Sequence, residues 1–293
     1  MPFIQTIKQA LIKVPGFLNT YNSVNNYFRG STLWGYGTHP NYKPELIEFV
    51  AERRGISLEA AKALVDGGEK LFKGGWGGNE YRDFSNLETD TLKMFYDDNT
   101  DERVIETYQY HGPFDLLRMV SYGVPTEQDM EPIISRLAAK PSVTIVDYGA
   151  GLAHRTIAVS RSLLARGVRV KLYLVDIKRE LHFAFLDFMC RKYGIDHQFI
   201  EVTAAKLYPE LPPCDYCDNV SVLEHIREPL TVLNNTDRAL NPGGLFLVLD
   251  FDAPEEMMHI TPNLKVVRER IAELHYQRVG TCYGTPLLQK PVS

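Results

Sequence analysis

The chain reads as an α/β protein with a parallel sheet in its second half and a mostly helical N-terminal region before it. Three observations predict this. After Lys140-Pro141, short β-rich runs alternate with helical stretches, the runs falling near 143–147, 170–175, 197–202, 215–220 and 244–250. Such alternation implies parallel strands joined by right-handed crossovers, with helices on both faces. The first run, Val143 to Val146, stops at Asp147; Gly149, Gly151 and a helical stretch from Thr156 to Arg166 follow. The next run, Val168 to Asp176, closes on an acid. Ligands bind beyond the carboxyl ends of such strands, where Asp147, Asp176, Thr203 and Asn219 fall.

Ahead of the sheet, Phe3, Ile4, Ile7, Leu11 and Val14 follow helical spacing until Pro15-Gly16. Two lysines on its polar side are too few for a membrane-surface helix. Residues 17–43 read as irregular structure rich in aromatic side chains. Pro44 to Arg54 and Ser57 to Phe72 read as helices broken at Gly55, with Ser57 as N-cap. Gly74 to Gly78 is a glycine loop, residues 83–104 an acidic solvated stretch, and Tyr108 to Ser135 helical again. Tyr276 to Lys290 can supply closing antiparallel strands. The division expected is 1–134 for the helical region and 135–293 for the sheet.

With 293 residues and 44% hydrophobic content the chain can bury a sizeable core. A net charge of -5 disfavours long-range attraction to nucleic acid or anionic membrane. Four cysteines indicate a reducing compartment, no apolar run is long enough to span a bilayer, and a cytoplasmic setting is expected. Cys214 and Cys217 have the spacing of half a zinc site, but no second pair completes it, so no metal is assigned.

Glycines after a strand let a backbone approach a nucleotide closely, and an acid ending the next strand can accept ribose hydroxyls. About three residues after Gly151, where a dinucleotide fingerprint has Gly or Ala, stand His154 and Arg155. That argues against NAD and FAD, whose pyrophosphate needs a bare helix N-terminus. S-adenosylmethionine has no pyrophosphate. Further on, Asp215-Tyr-Cys-Asp-Asn-Val-Ser-Val-Leu-Glu-His-Ile226 precedes Arg238-Ala-Leu-Asn-Pro-Gly-Gly244 and another apolar run.

This ordered set resembles class I S-adenosylmethionine-dependent methyltransferases, over residues 135 to 293. The resemblance implies a Rossmann-like methyltransferase domain with S-adenosylmethionine as cofactor. It places Gly149, Ala150 and Gly151 under the methionine end, Asp147 near the ammonium, Asp176 on the ribose and Ile177 against the adenine. Ala153 replaces the third glycine of the usual turn. No acid follows the third strand, so Thr203 is left to meet the adenine amine. Asn219 and Val220 would line the methyl-donor channel, and Asp218-Asn-Val-Ser221 departs from the Asn-Pro-Pro-Tyr signature of amino-group enzymes acting on DNA bases or protein glutamine. Candidate general bases or lid residues are His225, in the Leu-Glu-His segment, and Tyr110 and His111, before the first core strand; His154 is a further candidate. The expectation is methyl transfer to a small organic or sugar-like acceptor, at oxygen, with the N-terminal aromatics supplying substrate contacts and a homodimer allowed. Two rivals remain: a non-catalytic module that only binds, and an RNA methyltransferase using Arg155, Arg161, Arg166, Arg169, Lys171, Lys178 and Arg179.

Overall fold

The computed structural model describes residues 40–74, 105–106, 109, 113–120, 122–248, 260–261, 263–282 and 284–292. The first described helices are α1 (Lys43–Arg54) and α2 (Leu58–Gly74). Gly55, in the left-handed region, ends α1, and Ser57 Oγ accepts the Ala60 N–H to start α2. The expected helices from Pro44 and Ser57 are thus present. The readings made for residues 1–39 and 83–104 lie outside the described residues, as does the glycine loop beyond Gly74.

The stretch expected to be helical from Tyr108 to Ser135 is instead broken, giving α3 (Pro113–Val120) and α4 (Glu127–Leu137). Pro125 cannot continue a helix ladder. Thr126 opens α4 with a capping box, accepting from the Asp129 N–H while Asp129 accepts from the Thr126 N–H. Thr126→Ala should cost about 1 kcal/mol, read as a lower urea midpoint at unchanged slope. On α4, Met130, Ile133, Ile134 and Leu137 recur at helical spacing and are buried.

The sheet then follows as β1 (Ser142–Tyr148), α5 (His154–Ala165), β2 (Arg169–Ile177), α6 (Glu180–Lys192), β3 (Asp196–Val202), β4 (Cys214–Asn219), a single 3-10 turn (Leu223–His225), α7 (Pro229–Ala239), β5 (Leu240–Val248), α8 (Lys265–Glu273), β6 (Gln277–Cys282) and β7 (Thr285–Gln289). Strand order is β3-β2-β1-β4-β5-β7-β6. The first five strands are parallel, and β7 inserts antiparallel between β5 and β6. Tyr276 to Lys290 supplies the closing pair, as its sequence predicts.

Strand alternation sends Ile145, Leu172, Leu174 and Tyr216 to the face covered by α4, α5 and α6, and Val146, Val175, Cys217 and Phe246 to the face covered by α7 and α8. The first core extends into the N-terminal helices. Phe49 of α1 meets Phe185 edge-on at 5.4 Å between centroids, and Tyr193 donates to Glu45 at 2.6 Å. Strand order reverses between β1 and β4, so the crevice at their carboxyl ends is where such a sheet takes a ligand.

Candidate active site

The turn from β1 into α5 is shaped by its backbone. Gly149 (φ 72°) and Gly151 (φ 54°) lie in the left-handed region that glycine adopts at no steric cost. The Gly149 and Ala150 N–H groups both donate to the Val175 carbonyl, at 2.8 and 3.2 Å, binding the turn to β2. A Cβ on Gly149 would lie 2.4 Å from Val222 Cγ2, and one on Gly151 2.6 Å from Met119 Cε. Val222 enters from the loop after β4, and Met119 from α3.

Asp176, at the end of β2, turns toward this loop. Its Oδ2 accepts from the Gly151 N–H at 2.7 Å and from Arg179 Nη2 at 3.3 Å, and its Oδ1 from the Ile177 N–H at 2.7 Å. A carboxylate has about four acceptor positions, so room is left on Oδ1 for a hydroxyl. Arg179 also reaches Met119 Sδ at 3.9 Å, so α3 is tied to the acid. Thr203 follows the end of β3 and forms an isolated bridge with Lys206.

Asn219 closes β4, the strand beside β1. It is 1% exposed, and neither of its amide atoms has a hydrogen-bond partner among the described residues. Buried polar atoms are normally satisfied, so this side chain awaits a ligand or water. Val220 is buried beside it, and Ser221 carries a strained φ of 60°. His225 is half-buried in the 3-10 turn that follows. Tyr110 and His111 lie outside the described residues.

His154, a further candidate base on sequence, takes a different role. It stacks on Tyr42 at 4.8 Å between centroids. Burial, with the Arg155 charge beside it, pushes its pKa down to about 3. It packs as a neutral ring and takes no proton near neutrality.

The largest departure from the sequence reading is Arg155. Expected with the surface bases, it instead holds Asp218 bidentately, Nε and Nη2 each at 2.8 Å. Tyr216 donates to the same carboxylate at 2.8 Å. Asp218 is register partner to Asp147 across β1 and β4, so the two acids sit side by side on the α5 face. Asp147 is 3% exposed and accepts from Thr156 Oγ1. Burial first, and then the charge of Asp218, drive its carboxyl well above the usual range, while Arg155 and Thr156 oppose them. An acid such as Asp218 inside an otherwise buried strand requires a cation; that signal was in the sequence, but the partner was not.

A crevice at the strand-order reversal, floored by a glycine turn, with an acid ending β2 and an open amide ending β4, belongs to the class of α/β enzymes that bind a nucleoside-bearing cofactor. The chain belongs to the methyltransferase-domain family, which matches residues 125–283, just over half of it. It is a class I methyltransferase, and its cofactor is S-adenosylmethionine. No curated protein matches the sequence. Among solved structures it is similar to a class I S-adenosylmethionine-dependent methyltransferase assigned in Listeria monocytogenes, at 15% identity over 84% of this chain and 87% of that one, TM-score 0.41. A methyltransferase from Aquifex aeolicus is similar at 15% identity over 58% and 94%, TM-score 0.40. One assigned in Bacillus halodurans is similar at 15% over 50% and 68%, TM-score 0.38.

The residues present fit the cofactor. The open Asn219 amide offers a donor and an acceptor at the switch point. Helix α5 begins with no side-chain cap and no acid in its first turn, leaving amide donors for a carboxylate.

Proposed function

We propose that the protein transfers the methyl group to a small organic or sugar-like acceptor, at oxygen, and that residues 1–134 form the substrate and lid region over a catalytic domain at 135–293. The observation that carries this reading is the position of Met119. From α3 in the first half of the chain it rests on Gly151 and is tied through Arg179 to Asp176. A site roofed by the chain itself favours an acceptor small enough to be enclosed, and enclosure excludes water from the transfer.

When bound, the cofactor supplies a methyl group already activated on a sulfonium. The chain's own groups have to hold and align. Asp176 offers its remaining acceptor position to the ribose, Gly149, Ala150 and Gly151 give the floor, and Ile177 the adenine face. Thr203 offers its hydroxyl at the adenine end. Asn219 and Val220 line the methyl side, and His225 takes the proton of a hydroxyl acceptor.

The RNA reading is less favoured because its basic residues are mostly spent on acids. Arg155 pairs with Asp218, Arg166 with Glu127 and Glu131, Lys171 with Asp196, Lys178 with Glu180 and Arg179 with Asp176. No helix among the described residues is long and apolar enough to cross a membrane.

Calorimetric titration with S-adenosylmethionine tests the cofactor half. Asp176→Ala should weaken binding at least tenfold, since hydrogen bonds to a charged group are worth about 1.5–3 kcal/mol. Unchanged affinity in a folded variant would refute the ribose role. Turnover of hydroxyl-bearing small acceptors then separates an enzyme for small molecules from a module that only binds.

A further inference from the structure

We propose that Arg155 is a positioning residue: clamped on Asp218, it presents Asp147 as the acceptor of the cofactor's ammonium group, and the empty site stands one positive charge short until that group arrives. The proposal rests on the cofactor reading above and extends it to a residue outside the turn.

The argument starts from strand geometry. Asp147 and Asp218 are register partners on adjacent parallel strands, which places them about 5 Å apart on one face. Both are buried, at 3% and 0% exposure. Two acids so placed repel each other and need a cation. Arg155 comes from the first turn of α5, where a cation opposes the helix dipole; its position there is maintained by its partners. Its fork lies on Asp218, whose two oxygens accept Nε, Nη2 and the Tyr216 hydroxyl. Asp147 receives the Thr156 hydroxyl.

Among the described residues, the groups acting on Asp147 are Asp218 beside it on β4, Arg155 and Thr156 on α5, Asp176 on β2 and, from the other face of the sheet, Cys217. Arg155 is the one cation among them. Asp176 is paired with Arg179, so Asp147 and Asp218 against the one guanidinium leave a buried surplus of one negative charge. Such a surplus is relieved by a proton or by a second cation. Asp147 stands two residues before Gly149, at the ligand end of β1, so a cation arriving in the crevice can reach it. The cofactor carries an α-ammonium on its methionine end. Burial and Asp218 favour the proton in the empty site, and Arg155 opposes them. Removing Arg155 therefore leaves Asp147 neutral and blind to the ammonium.

The sign of the pH effect follows. Where Asp147 holds a proton in the empty site, binding must expel it, so affinity falls toward acid by about tenfold per pH unit. Above that range the acid dependence vanishes.

The test is calorimetry on the full chain with S-adenosylhomocysteine and with its desamino analogue, across mildly acidic to neutral pH and in two buffers of different protonation enthalpy. The expected result is release of a proton and an acid-sensitive affinity for S-adenosylhomocysteine. The desamino analogue should bind at least tenfold more weakly and show neither effect. Arg155→Gln should move the acid limb to higher pH for the amine-bearing ligand alone, with Arg155→Lys restoring part of it. Equal affinity and equal pH dependence of the two ligands on the wild-type protein would overturn the proposal, whatever the variants do. So would an Arg155→Gln loss shared alike by both, which is what a purely structural clamp gives. Binding of neither ligand by the folded protein would overturn the cofactor reading along with it.

Discussion

Asp218→Ala will lower the stability of the ligand-free protein by about 3 kcal/mol, the lower end of the cost of breaking a buried ion pair. The loss has two parts. Arg155, with only 17% of its side chain exposed, keeps its charge and loses both bidentate bonds. Tyr216, fully buried, loses the acceptor of its hydroxyl. Asp147 is close enough to take over part of the Arg155 interaction, which keeps the loss from the upper end of the range. Urea denaturation at unchanged slope measures it. Asp147→Asn should move stability the other way. The carboxyl of Asp147 is raised in the folded protein, by burial first and Asp218 second. An acid so raised costs stability progressively as pH climbs from its unfolded value, about 3.9, through its folded value. The asparagine variant should therefore gain on the wild type as pH rises over that window, while binding the cofactor more weakly. A variant that loses stability with rising pH as the wild type does would refute the surplus-charge account.

Gly149→Ala should cost about 3 kcal/mol and abolish measurable cofactor binding. A φ of 72° charges any other residue about 1–2 kcal/mol. The added methyl then meets Val222, with Cγ2 at 2.4 Å, Cγ1 at 2.8 Å and Cβ at 3.2 Å. All three atoms crowd it, so no rotation of a β-branched side chain clears the space, and overpacking adds about 1–3 kcal/mol. Displacing the turn also strains the bonds from Gly149 and Ala150 to Val175 and from Gly151 to Asp176. Val222→Ala in the same chain should return the packing part and leave the φ part. Gly151→Ala is the milder control, because its neighbour is the far end of Met119. Thermal or urea unfolding of the three variants beside the wild type, with titration of the cofactor, checks the order; a Gly149→Ala as stable as wild type would refute it.

Much of the site is legible in the sequence because it is written locally. A β-rich run, two glycines and a helix predict a turn wherever they occur, and an acid ending the next strand needs only the strand to be placed. Asp147, Gly149, Gly151, Asp176, Asn219 and Val220 lie where the parallel order puts strand ends. The break between α3 and α4 is less visible, since the apolar spacing runs on across it and only Pro125 and the box from Thr126 to Asp129 interrupt it. Arg155 is the instructive case. On sequence it sits with six other bases and nothing marks it as the partner of a buried acid; that partner lies 63 residues away.

The sequence by itself determined the alternation of strands and helices, the glycine turn and the acid that faces it, and family membership followed from those motifs. These depend on interactions between near neighbours, which periodicity and turn chemistry report. Only the tertiary structure decided that His154 is a half-buried neutral ring, that Met119 roofs the turn, and that Arg155 belongs to Asp218 beside Asp147. Those facts depend on strand register and on which helix face meets the sheet, and register is set by the whole core rather than by any segment of the chain.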